Sequence, residues 1–383
     1  PIINQSATKS FTVYVFGNGD SGQLGLGPKE IEITQPYKNP FLDPRKTSSF
    51  HVKEIACGGM HVVALTADNQ IVTWGVNDNE ALGRNTQWEG GLRDVDDESD
   101  DEAELNPSES TPTAIPTKSF DHGVRFVSVA AGNSCSFALT DTGLVYGWGT
   151  FRDPEGKEAF GYSADGTVIQ KQSTPMLIQG LERIIQIVCG ADHALALDVT
   201  GNIWGWGSGH QNQFGRRLFG RHQDTLRPQI VRVCRGSAKY IESGDYHCFA
   251  VDTSDNVWGW GLNSFGQAGD VKTAGSDAAV LPFPVKIPTL CGKGVCIISG
   301  GAQHSAAITV NGECYVWGRV DDGQLGIRLT ATQIQDPNWV RCDQRGRPRI
   351  CLVPTAVPAN IGLLTNVACA SDHTIVINNR GSA

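Results

Sequence analysis

AGNSCSFALTDTGLVYGWGTFRDPEG, residues 131–156, holds one copy of the unit from which the chain is built, followed by a segment that no other copy has. The copy runs from Gly132 through SFALT, a turn at Asp141–Gly143 and LVYGWG ending at Gly149. Short apolar stretches separated by a glycine turn read as two strands of a hairpin. The odd segment is Phe151, Arg152, Asp153, Pro154, Glu155 and Gly156, where other copies run straight towards a Gly-Gln-Leu-Gly turn. A repeat makes a scaffold, and a break in it marks a candidate site.

Working outward, the unit recurs as two halves. Gly-x-x-His followed by alternating apolar residues occurs at Gly58–His61, Gly190–His193, Gly244–His247 and Gly301–His304, with Gly132–Cys135 and Ala370–His373 as variants. An aromatic-Gly pair occurs at Phe16, Trp74, Trp148, Trp206, Trp260 and Trp317, mostly ahead of a glycine-rich turn such as Gly22–Gly25 or Gly323–Gly326. Trp148, Trp206, Trp260 and Trp317 follow one another at intervals of 58, 54 and 57 residues. Self-similarity at about 50 residues with short strands and glycine turns is the pattern of an all-β fold, the β-propeller, one four-stranded blade per unit. Six halves of each kind give six blades. The chain opens on an aromatic-Gly half and closes on a His half, so the terminal strands are expected to complete one blade together and remove two sheet edges. Residues 1–10 read as a disordered leader and 11–383 as a single propeller domain.

Composition agrees. The 383 residues carry 45 glycines and 18 prolines, which favour tight turns over long helices. A net charge of −9 argues against non-specific attraction to nucleic acid by the whole chain. Eleven cysteines without a CxxC pair or zinc-ligand spacing suggest thiols in a reducing compartment, and neither metal nor cofactor is expected. There is no signal peptide and no apolar run of membrane-spanning length. GNGDSG at 17–22 matches GxGxxG, but a repeat turn follows it rather than a helix, so dinucleotide binding is not inferred. The insertion at 85–118 concentrates acids between Asp94 and Glu104 and reads as a solvated loop. Residues 216–239 reverse the sign with Arg216, Arg217, Arg221, Arg227, Arg232, Arg235 and Lys239, and Arg341, Arg345, Arg347 and Arg349 form a second basic cluster. Both are candidates for phosphate or acidic-protein contact, or are simply solvated charge.

A histidine recurring once per blade points to hydrogen-bonded ordering rather than catalysis, since Cys135 replaces one. The preceding residue, Met60, Ser134, Asp192, Tyr246, Gln303 or Asp372, differs from blade to blade, which suits a differentiated protein-binding rim. No Ser-His-Asp order, phosphate loop or carboxylate pair of enzymatic kind is present.

GGMHVVALTADNQIVTWGVNDNEALGRNT at 58–86, GWGTFRDPEG at 147–156 and GADHALAL at 190–197 resemble the regulator of chromosome condensation family, nuclear guanine nucleotide exchange factors for the small GTPase Ran. The resemblance covers almost all of 11–377. It implies seven blades, one more than counted, with the remainder expected beyond Ala383, and a monomer on chromatin in the nucleus. It also implies that Phe151–Gly156 is the family's wedge against the GTPase and that Asp192 is the acid on which exchange depends. Asp20, His61, Asp78, Asn133, Arg216, His304 and His373 would share the GTPase-binding face, Asn133 standing where the family has an aspartate. The 216–239 segment resembles a loop that docks on core histones, through Arg221, Arg227, Arg232 and Arg235, with nucleosomal DNA as a further partner. The family's basic N-terminal tail is not in this sequence. Two other readings use the same blades: a non-catalytic scaffold, and a UV-B photoreceptor, for which the Gly-Trp-Arg-His-Thr motif is missing.

Overall fold

The computed structural model describes residues 1–89, 104–218, 225–276 and 279–380. The chain divides into two compact units, 1–187 and 188–383. In the first, Val52–Cys57, His61–Thr66, Ile71–Gly75 and Thr113–Ala114 form one four-stranded antiparallel sheet, and Phe126–Ala131, Cys135–Thr140, Val145–Gly149 and Gln172–Leu177 form another. In the second, Ala238–Ser243, His247–Asp252, Val257–Leu262 and Val280–Lys286 repeat the pattern. So does the sheet of Ile184–Cys189, whose first strand starts before the boundary, with His193–Asp198, Ile203–Gly207 and Gln229–Val231. A fifth sheet starts with Val295–Gly300, His304–Thr309 and Cys314–Arg319, then adds Pro348–Ala356 and, at its edge, Val340–Cys342.

The His half and the aromatic-Gly half are adjacent strands, and their register explains the glycine. His61 pairs with Gly75, His193 with Gly207, His247 with Gly261 and His304 with Gly318. At Gly75, φ is +103° and a Cβ would lie 2.4 Å from the Met60 carbonyl oxygen, so no side chain fits opposite the histidine.

Blades are strapped to one another by a network that uses every motif of the repeat. Each imidazole Nε2 bonds the hydroxyl or thiol that follows the next blade's His position: His61 to Ser136 Oγ (2.9 Å), His247 to Ser305 Oγ (2.8 Å) and His304 to Thr374 Oγ1 (2.8 Å), with His193 3.2 Å from Cys248 Sγ. That group in turn donates to a carbonyl in the glycine-rich turn: Ser136 to Ala81 O, Ser305 to Gln267 O and Thr374 to Gln324 O. The same carbonyls take the indole N–H of the next tryptophan, Trp148 to Ala81 O at 2.8 Å and Trp317 to Gln267 O at 2.9 Å. One oxygen with two lone pairs thus joins turn, tryptophan and histidine. The turn's last glycine is fixed by the same contact, since a Cβ on Gly83 would lie 2.8 Å from the Trp148 ring. Burial lowers the His61 imidazole to about 4 and those of His193 and His247 to about 3. These rings are neutral structural bridges, as their regular spacing suggested.

Several expectations are corrected. Among the described residues the terminal strands do not share a sheet: Tyr14–Asn18 pairs with Glu32–Lys38 and Leu364–Cys369 with Thr374–Asn378, each as a two-stranded sheet. Residues 1–10 lack regular structure yet are tied down, with Ile3 and Asn4 amides donating to Asp141 O and Asn4 Nδ2 to Thr140 O and Ile184 O. The acidic run from Asp94 to Glu102 lies outside the described residues, but the rest of the insertion is built. Its short helix Pro107–Ser110 is capped by Asn106, the buried Arg84 guanidinium donates to Ser108 O at 2.7 Å, and Thr113–Ala114 is the blade's outer strand. The 216–239 segment is likewise no mere loop, since it holds Gln229–Val231 and the start of Ala238–Ser243. The second basic cluster is divided: Arg341 donates to Val271 O and Ala274 O, whereas Arg345, Arg347 and Arg349 are exposed, Arg347 paired with Asp343 and Arg349 over the Phe265 ring.

One inner-strand acid has a measurable consequence. Glu242 accepts from Tyr240 OH and from the Ser243 amide, both at 3.0 Å, and burial pushes its carboxyl up to about 7. A carboxyl raised on folding is destabilising once ionised, so its penalty is absent below pH 4.5, grows from there to pH 7 and is complete above it. Glu242→Gln is therefore expected to be more stable than the parent at pH 8, by on the order of 2 kcal/mol, with the difference gone at pH 4.5. Urea unfolding of both proteins at the two pH values checks this, and a gain independent of pH would refute it.

Candidate functional site

In the first unit, the break in the repeat is a small hairpin. Phe151–Arg152 pairs with Glu158–Ala159, and the tip between them is turned by Asp153, whose backbone oxygen accepts from Gly156 and whose carboxylate accepts from the Lys157 amide at 2.7 Å. Gly156 sits at φ +79°, the left-handed geometry that this turn requires. A second hairpin, Gly161–Tyr162 with Val168–Ile169, follows.

The residues quoted as a wedge divide into root and tip. Phe151 is buried, its ring stacked 5.7 Å from Phe160 and 6.2 Å from Phe137 on the blade's second strand. It anchors the hairpin and offers no surface to a partner, which corrects its assignment as a contact residue. Pro154, Glu155 and Gly156 are exposed, and Asp153 is half-buried. Arg152 Nη2 donates to Asn79 Oδ1 (3.0 Å) and pairs with Glu158 (3.2 Å), and Asn79 Nδ2 reaches Ser134 Oγ at 3.1 Å. The rim residues Asp20, Asp78 and Asn133 are exposed. His61 is 2% exposed, so the strap between blades occupies the ring that was expected to face a GTPase.

In the second unit, Asp192 is 8% exposed, at the mouth of the loop before His193. Its backbone oxygen takes the Ser208 amide at 2.7 Å, and Ala191 N–H donates to Asp245 O at 2.9 Å, so two neighbouring rim loops hold its backbone. Tyr246 completes the group: burial raises its phenol, with the charges of Asp192 and Asp245 adding to the effect. Burial also raises the Asp245 carboxyl. Asp245 and Tyr246 were not singled out as site residues, although Tyr246 occupies the variable position equivalent to Asp192. Further along, Arg319 binds Gln303 Oε1 (3.1 Å) and pairs with Asp321, Asp322 and Asp372. His304 is fully buried against Thr374 and is corrected in the same way as His61, whereas His373 is exposed.

Arg216, Arg227, Arg232 and Arg235 are exposed, and Arg221 lies outside the described residues. Arg216 and Arg232 border a groove of about 650 Å³ with Phe214, Gln229, Ile230 and Phe283, and Arg216 donates to Gln229 Oε1.

A family model, that of the RCC1-like domain, matches residues 12–383. The chain belongs to the RCC1-like domain family. Within it, guanine nucleotide exchange factor SRM1 of Saccharomyces cerevisiae is 37% identical, over 97% of this chain and 76% of that protein. Protein pim1 of Schizosaccharomyces pombe is 34% identical, over 99% of this chain and 66% of that protein. A solved RCC1-like structure, Prp20p from Saccharomyces cerevisiae, reported with its binding properties to Gsp1p and histones, is 33% identical with a TM-score of 0.85, over 99% of this chain and 83% of that one. The all-β architecture of this RCC1-like chain is therefore that of a propeller family.

Proposed function

We propose that this chain is a guanine nucleotide exchange factor for Ran, working at chromatin in the nucleus by binding rather than by covalent chemistry. The observation that carries the reading is the Phe151–Ala159 hairpin, rooted in an aromatic stack with a polar tip left exposed, in a chain 37% identical to a named exchange factor. A factor speeds nucleotide release when it binds the empty GTPase far better than the loaded one, and by linkage the nucleotide weakens the factor's hold to the same degree. A rigid hairpin suits that task, because binding energy spent on ordering the factor is lost to displacing the GTPase's phosphate loop. The tip residues 153–156 enter beside the nucleotide, and Asp192 offers its carboxylate to a basic group of the GTPase. The exposed Arg227, Arg232 and Arg235 supply a positive surface for histones, a reading supported by likeness to Prp20p, whose histone-binding properties are reported.

The test is release of a fluorescent GDP analogue from Ran with the protein at a small fraction of the GTPase concentration. Multiple-turnover acceleration is expected. A folded chain that binds Ran without accelerating release would instead be a scaffold.

A further inference from the structure

We propose that Lys171 and Asn79 are positioning residues for nucleotide release, clamping the hairpin to the neighbouring rim loop through Glu158 and Arg152. The inference rests on the exchange reading above.

The hairpin's own ladder has two residue pairs, too few to hold a direction by itself. Phe151 fixes its root, but no buried side chain lies between Phe151 and Phe160. What braces it sideways is polar. Glu158 receives two cations, Arg152 Nη2 on one oxygen at 3.2 Å and Lys171 Nζ on the other at 3.3 Å. Each cation also reaches the 78–79 loop: Lys171 donates to Asp78 O at 2.8 Å and Arg152 to Asn79 Oδ1 at 3.0 Å. Asn79 is held in turn by Ser134, on the rim of the hairpin's own blade. Two crossing links on one carboxylate resist both twist and tilt. The Arg152 head is thereby engaged as a strut, and Lys171 lies well after the hairpin in sequence, so neither it nor Asn79 belongs to the wedge motif.

The contacts are individually weak and partly solvated, so loosening rather than collapse is expected. Lys171→Ala should keep the thermal midpoint, speed hydrogen exchange at the Asp153 amide, which donates to Lys157 O, and lower kcat about three- to tenfold at unchanged KM. Lys171→Arg should restore both. Asn79→Ala, which changes no charge, should reproduce the loss, whereas a direct pull of Lys171 on the GTPase would leave Asn79→Ala active. Unchanged hairpin protection, or a rise in KM alone, overturns the clamp. A Lys171→Ala variant as active as an active parent sinks this inference by itself, while an inactive parent sinks the exchange reading on which it stands.

Discussion

Asp192→Ala is expected to slow Ran-bound GDP release by about 100-fold or more, a loss typical of removing one partner from a buried charge pair at an interface. The residue is 8% exposed, and its backbone is tied on both sides, by Ser208 N–H to Asp192 O and by Ala191 N–H to Asp245 O. An acid held this way has its geometry set before the GTPase arrives, so its interaction is not offset by ordering of its own loop. Burial raises both the neighbouring Asp245 carboxyl and the Tyr246 phenol, and the charges of Asp192 and Asp245 hold the phenol neutral more firmly still. Asp192→Asn separates charge from shape. If attraction to a basic group matters, Asn should be nearly as slow as Ala; if a hydrogen bond suffices, Asn should recover most of the rate. Release as fast as the parent in both variants would move the exchange centre elsewhere on the rim. Far-ultraviolet circular dichroism of each variant checks that the blade stays folded.

Much of this was legible in the sequence, and the limits have physical reasons. Period-2 strands, the Trp-Gly pairs and the glycine turns gave the blades, because each demands a backbone geometry that few other residues allow. The hairpin at 151–159 stood out because it interrupts that demand. Its division into root and tip was not visible, since burial of Phe151 depends on Phe137 and Phe160 and not on its own neighbours. His61 and His304 were placed on the binding face by resemblance, and only the Ser136 and Thr374 hydroxyls reveal where their rings are spent. A signal did exist: Ser136, Cys248, Ser305 and Thr374 each follow directly after a His position or its Cys135 substitute. The outer strands Thr113–Ala114 and Gln229–Val231 were missed because they are short and lie in segments dominated by charge. Their pairing with the aromatic-Gly strand makes them strands, more than any propensity of their own.

Trp260→Ala is expected to cost about 3–5 kcal/mol, the largest stability effect of any substitution considered for this chain. Trp260 is fully buried in a core that includes Leu195, Phe214, Ile241 and Cys248, so truncation leaves a cavity that strands pinned by ladder hydrogen bonds cannot close. Its indole N–H also donates to Gln213 O at 2.6 Å, an oxygen otherwise reached only by the Cys248 thiol at 3.6 Å among the bonds described. Elsewhere the same oxygen has a hydroxyl in reserve, as Ser305 provides at Gln267. A thiol is a much weaker donor, so this turn depends more on its tryptophan than the others do. Trp260→Phe keeps most of the apolar volume and removes the donor. It should cost about 1–3 kcal/mol, the desolvation cost of a buried carbonyl left short of a partner. Urea midpoints followed by far-ultraviolet circular dichroism measure both, since tryptophan emission is altered by the substitution itself. If the phenylalanine variant matches the parent, the shared carbonyl contributes nothing net and the strap reduces to packing. If it falls as far as alanine, the hydrogen bond and not the cavity dominates. With domain stabilities of roughly 5–15 kcal/mol, the alanine variant stands near the edge of folding at 37 °C. Any loss of exchange in it would report an unfolded blade rather than a missing contact.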